Sequence, residues 1–122
     1  MTNFALWIDH AHAYVYKFQD GVVEETKFHA SEMSIPEEKI GHENKFNDHN
    51  HFYHQIAENL RDVHKLLVMG PGIAKNEFKH HCEKHHHSKL ANEIIALEPM
   101  EAHPTKMMII HAAQKYFKNL NH

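Results

Sequence analysis

The sequence predicts a mixed α/β fold in which one five-stranded sheet carries helices on its faces. Two observations lead there. The first thirty residues form short runs of apolar and aromatic residues around a tight turn signal, the pattern of an antiparallel meander. The rest alternates apolar runs with stretches of helical periodicity, the pattern of crossover units that lay strands parallel in one sheet. At 122 residues the expectation is a single domain spanning 1–122.

Phe4 to His10 is a short apolar run that ends in a polar turn signal, and it reads as the first strand. Ala13 to Phe18 alternates Val15 with Tyr14, Tyr16 and Phe18, residues that favour a pleated surface. Asp20-Gly21 is a hairpin signal, and Val22 to His29 follows as a third strand. From Ser31 to Asn50 the character changes: Pro36, Gly41 and four glutamates leave almost nothing apolar beyond Met33, Ile35, Ile40 and Phe46. A long loop at about 31–50 is expected, and loops of that length tend to be functional.

Asp48 or Asn50 is placed to cap a helix from about His51 to His64, with Phe52, Ile56, Leu60 and Val63 as its buried stripe. Lys65 to Met69 is a fourth strand, broken by Gly70-Pro71-Gly72. A second helix runs from Ile73 to about His86, with Ala74, Phe78 and Cys82 spaced by four. Glu93 to Leu97 is a fifth strand. Pro104 suits the first turn of a last helix to about Lys118, with Met108, Ile109, Ala112, Ala113, Tyr116 and Phe117 as a broad apolar face. The order is β-β-β-loop-α-β-α-β-α, a ribonuclease-H-like arrangement. No internal repeat is present.

Composition narrows the class. The chain is 42% hydrophobic and 24% charged, which suits a globular domain and not a disordered one. Sixteen histidines stand out, about one residue in eight. The formal charge of −3 counts them as neutral. With ordinary histidine pKa values about a quarter carry a proton at pH 7 and about three quarters at pH 6, so the net charge climbs from about +1 to about +9. A single thiol, Cys82, excludes an intramolecular disulfide framework and a cysteine zinc ribbon. The N-terminus lacks a basic region, and its apolar run, Phe4 to Ile8, is too short for a signal peptide or a membrane span. A cytoplasmic protein with no membrane partner is expected.

The element order, together with Leu66-Leu67-Val68-Met69-Gly70-Pro71-Gly72-Ile73-Ala74-Lys75, resembles the middle domain of archaeal and eukaryotic peptide-chain release factors and of Pelota. In that family a helix with a Phe-Tyr pair precedes an apolar strand, a Gly-Pro-Gly turn and a lysine three residues on. Here the pair is Phe52-Tyr53 and the lysine is Lys75. Short single-domain bacterial relatives, often called translational machinery proteins, are more similar still. They open with a Trp-Ile-Asp-His strand end, here Trp7 to His10, and close on an aromatic helix end, here Tyr116-Phe117. The resemblance covers nearly the whole chain outside 31–50. It also has a gap. Release factors carry Gly-Gly-Gln after the third strand, whereas this chain has no Gly-Gly, and its loop offers Gly41, His42 and Glu43 without a glutamine. Pelota-like members lack the motif too and act in ribosome rescue without cleaving the ester. The resemblance therefore implies a non-catalytic, translation-associated module whose partner is the ribosome or tRNA, with no catalytic residues and no cofactor.

The residues add their own candidates. Gly70-Pro71-Gly72 ahead of a helix exposes backbone N–H groups where an anion is welcome, and Lys75 sits one turn in. The alternative is a tight turn whose glycines permit unusual angles and close packing. Lys79, Lys84 and Lys89, with five histidines between His80 and His87, make the second helix and its exit the most basic stretch, either a phosphate-backbone contact or a solvated face. Gly70, Gly72, Lys75, Lys79, Lys84 and Lys89 are thus the candidate RNA-contacting set. His81 with His85 and Cys82 with His86 lie four apart, yet a zinc site needs three or four converging ligands, and no local spacing supplies them; no metal site is expected. Cys82 falls on an apolar stripe, where a buried inert thiol is favoured over a nucleophile. The enzyme alternative is a hydrolase: a peptidyl-tRNA esterase using the His42-Glu43 region, or a metal nuclease through Asp9 and Glu58. The nuclease reading lacks a third carboxylate, since the fourth strand ends in Met69-Gly70. A metal-buffering or pH-sensing protein is a third reading and rests on histidine content alone.

Overall fold

A computed structural model describes residues 2–30, 44–85 and 87–120. Most of the expected long loop, with Gly41, His42 and Glu43, lies outside them, as does His86.

The meander is β1 (Asn3–Ile8), β2 (His12–Gln19) and β3 (Val22–His29). Asp20 and Gly21 both take positive φ, 53° and 79°, which is what a two-residue hairpin turn matching the strand twist demands. Then come α1 (Asn44–Glu58), β4 (Lys65–Gly70), α2 (Ala74–Lys84), α3 (Ser88–Glu93), β5 (Ile94–Pro99) and α4 (Lys106–Leu120). The five strands form one sheet in the order β3-β2-β1-β4-β5. β1 pairs antiparallel with β2 and parallel with β4, and β4 pairs parallel with β5. The mixed five-stranded sheet expected from sequence is the one observed.

Register sorts side chains between two cores. Leu6 lies opposite Val15 and Val68, and these residues, with Phe4, Ile8 and Leu66, point to the face covered by α1, α2 and α3. There they meet Phe52, Ile56, Phe78 and Cys82, none more than 1% exposed. Ala5, Trp7, Leu67 and Met69 point the other way, against Ile109, Ile110, Ala113 and Phe117 of α4. Both faces of the central strands are buried, so β1 and β4 read as continuous apolar runs and not as alternations. Trp7 is held further by stacking on Tyr14 at 5.2 Å and by donating its indole N–H to the Glu101 carbonyl at 3.1 Å.

Three boundaries differ from expectation. α1 begins at Asn44, so residues 44–50 belong to a helix and not to the loop. Asn44, Asn47, Asp48 and Asn50 are weak helix formers, and their local signal favours turns, but propensity yields to tertiary context. α1 also ends at Glu58, six residues early: Asn59 N donates to Ile56 O, and Leu60 N to Ala57 O, the i→i+3 bonds of a tightened last turn. Leu60 and Val63 still reach the core from that turn. The crossover from β4 to β5 is broken at His85–His87 into α2 and a short α3, which buries Leu90 and Ala91. No helix among the described residues is long and apolar enough to cross a membrane.

Candidate functional site

The carboxyl ends of the parallel strands β1 and β4 lie side by side, and each feeds a different turn. In open α/β sheets such a divergence is where ligands are usually bound. Gly70 sits against the end of β1, and a Cβ there would run into the Ile8 carbonyl oxygen. Its glycine is required by close approach. Gly72 has φ +59° with open space around it, so the left-handed backbone alone asks for glycine. Met100 N donates to the Gly70 carbonyl at 3.2 Å and closes the turn from β5. Lys75 folds back, and its Nζ donates to the Gly72 carbonyl at 2.5 Å. The lysine thus places its charge on the turn and helps to shape it.

Beside this turn, Asp9 accepts the backbone N–H groups of Ala11 at 2.8 Å and His12 at 2.6 Å. The carboxylate builds the β1–β2 turn. Glu77 Oε1 accepts both the Tyr53 hydroxyl at 2.9 Å and His10 Nε2–H at 2.8 Å, joining α1, α2 and the β1–β2 turn. Tyr53 is buried, and burial together with Glu77 drives its hydroxyl well above the usual tyrosine range. It is a structural donor at any physiological pH. Glu58 lies elsewhere, paired with Arg61, which holds its carboxyl low. Among the described residues, neither Asp9 nor Glu58 belongs to a set of three converging metal-ligand atoms.

The lysines do not share one face. At about 100° per residue, Lys75 and Lys79 lie along one edge of α2, while Lys84 falls about 180° from Lys75. Lys84 borders a groove of about 410 Å³ between α1 and α2, with Tyr53, Ile73 and His80. Lys89 borders a second groove of about 540 Å³, with His54, Glu58, Arg61 and His87. Gly70, Gly72 and Lys75 are together at the turn, and the basic stretch is split across two edges of the helical layer.

Where the two grooves approach each other, the fold assembles a group that local spacing does not reveal. His54 of α1, His81 of α2 and His87 of the α2–α3 link bring one ring nitrogen each within 4.8 Å of one another. His54 Nδ1 and His87 Nε2 are 3.2 Å apart. His81 is only 5% exposed; its Nδ1–H donates to Asn50 Oδ1 at 3.2 Å, and its Nε2 has no partner among the described residues. Burial, reinforced by His85, His87 and His54, pushes His81 down to about 4, so it is neutral at pH 7. Burial also lowers His87. Of the anticipated i, i+4 pairs, His81 and His85 stack at 4.6 Å, whereas the pairing of Cys82 with His86 lies outside the described residues. Cys82 is fully buried, and burial pushes its thiol up to about 12, as an inert core cysteine should be.

No family model matches the chain, and no curated protein matches it. Solved structures do. Pelota of Archaeoglobus fulgidus superposes on 93% of this chain with a TM-score of 0.64 and 19% identity. An archaeal translation termination factor superposes on 98% of it with a TM-score of 0.64 and 18% identity. The Saccharomyces cerevisiae termination-like factor Dom34, which is involved in RNA quality control and interacts with Hbs1, superposes on 93% with a TM-score of 0.57 and 12% identity. This chain spans 31%, 38% and 32% of those longer proteins, respectively. The likeness is one of fold, a mixed five-stranded α/β sheet that this chain shares with about a third of each of those proteins.

Proposed function

We propose that this chain is a translation-associated module that engages the ribosome or tRNA by touching RNA phosphates and catalyses no reaction itself. The observation that carries the reading is the superposition of nearly the whole chain on about a third each of Pelota, an archaeal translation termination factor and the termination-like factor Dom34. The contact surface is assigned to the Gly70–Gly72 turn with Lys75 and Lys79, extended by Lys84 and Lys89 along the grooves. Twelve lysines against a single arginine, Arg61, suit point-charge contacts to a phosphate backbone, tolerant of sequence. Exposed histidines add charge as the pH falls below 7. The hydrolase alternative gains nothing from Asp9 and Glu58, since one builds a turn and the other is paired with Arg61.

Filter binding of purified tRNA at pH 6.5 and low salt tests the contact. The wild type should bind, and exchanging Lys75, Lys79, Lys84 and Lys89 for glutamine should weaken binding. It should also flatten the salt dependence by roughly one unit of log–log slope per lost phosphate contact. Absence of binding by the wild type, or equal affinity and slope in the variant, would remove these lysines from the function.

A further inference from the structure

We infer that His54, His81 and His87 form a binding site for one divalent transition-metal ion of the zinc class. Three neutral imidazoles are a borderline-soft donor set suited to Zn²⁺, Cu²⁺, Ni²⁺ or Co²⁺ and poorly suited to Mg²⁺ or Ca²⁺. Tetrahedral zinc with Zn–N bonds of about 2.0–2.1 Å sets its nitrogen ligands about 3.3 Å apart. The His54–His87 separation of 3.2 Å already has that bite. The third nitrogen lies within 4.8 Å of both, a gap that side-chain rotation of about 1–2 Å closes.

His81 supplies the observation that points to a ligand. A ring nitrogen that is buried without a partner costs free energy, so a protein that keeps one usually has a use for it. Donation from Nδ1–H to Asn50 fixes the tautomer and leaves the lone pair on Nε2. An orienting partner on the second nitrogen is the usual companion of a metal-bound histidine. His54 and His87 also line a groove in which Glu58 and Glu93 offset the charge of Arg61 and Lys89. Bound there, the ion would tie α1, α2 and the start of α3 together across the break in the crossover. The site is independent of RNA contact and stands or falls separately from it.

Isothermal titration with Zn²⁺ and cobalt absorption spectroscopy, both on untagged full-length protein prepared without nickel resin, test the site. Surface histidines bind metals weakly, so the comparison is between variants. The wild type should bind about one equivalent tightly, and Co²⁺ should give the intense visible bands of a tetrahedral site. His54→Ala and His87→Ala, which spare the buried His81, should each weaken that equivalent at least tenfold and abolish the bands. His103→Ala and His111→Ala, exposed and outside the cluster, should change neither. Equal affinity in the wild type and both cluster variants, or no tetrahedral cobalt spectrum in the wild type, would overturn the assignment.

Discussion

Acid should unfold this protein through His81, and the size of the effect follows from its surroundings. The ring is 5% exposed, its Nδ1–H is committed to Asn50, and His54, His85 and His87 face it from α1, the end of α2 and the α2–α3 link. Folding lowers its pKa from about 6.5 to about 4. The unfolded chain therefore binds a proton that the folded chain refuses. Well above pH 6.5 both states are neutral and His81 adds no pH dependence; as the pH falls through 6.5 toward 4, stability is lost. At about 1.36 kcal/mol per pKa unit, the loss attributable to His81 between pH 7.5 and pH 5 is about 2 kcal/mol. Urea unfolding followed by Trp7 fluorescence, in EDTA and at several pH values from 7.5 to 5, measures it. His81→Leu keeps an apolar side chain in the core and removes the titration. The gap between variant and wild type should shift in favour of the variant by about 2 kcal/mol over that range. Parallel pH profiles for the two proteins would refute the burial of a neutral imidazole at this position.

Other outcomes follow from the same geometry. Gly70→Ala should cost about 3 kcal/mol, because the added Cβ meets the Ile8 carbonyl, a backbone atom with little room to move. Gly72→Ala should cost about 1–2 kcal/mol, because only the left-handed φ opposes it; a larger loss at Gly72 than at Gly70 in urea midpoints would contradict this order. Cys82 should resist thiol reagents at pH 8 in the native protein and react fully in denaturant, and fast native labelling would contradict its burial. Affinity for tRNA at fixed salt should climb as pH drops from 7.5 to 6, with exposed histidines and not the buried His81 supplying the charge; a flat profile would separate the histidines from RNA contact.

Much of the fold was legible because local and long-range signals agree. Asp20-Gly21 adopts the positive φ values that its hairpin signal implies, and the apolar runs at Phe4–Ile8 and Leu66–Met69 are the two strands buried on both faces. The start of α1 was hidden because a run rich in asparagine and histidine reads locally as turn, whatever the fold later makes of it. The short α3 was hidden because six residues burying only Leu90 and Ala91 leave no period to detect. Gly70, Gly72 and Lys75 could be marked as one unit since a turn is local. The histidine group could not: residues 54, 81 and 87 meet only because the crossover breaks after α2 and α1 packs beside it. Spacing by four along α2 pointed to His81 and His85, which stack instead.

The central claim is that this fold engages the translation machinery, and co-sedimentation with purified ribosomes tests it most directly. Full-length protein, mixed with ribosomes at pH 6.5 and low salt and spun through a sucrose cushion, should pellet with them and be released as salt rises. The variant lacking the charges of Lys75, Lys79, Lys84 and Lys89 should remain in the supernatant. If the wild type stays in the supernatant at every pH from 7.5 to 6.0, even at low salt, the fold serves something other than the ribosome.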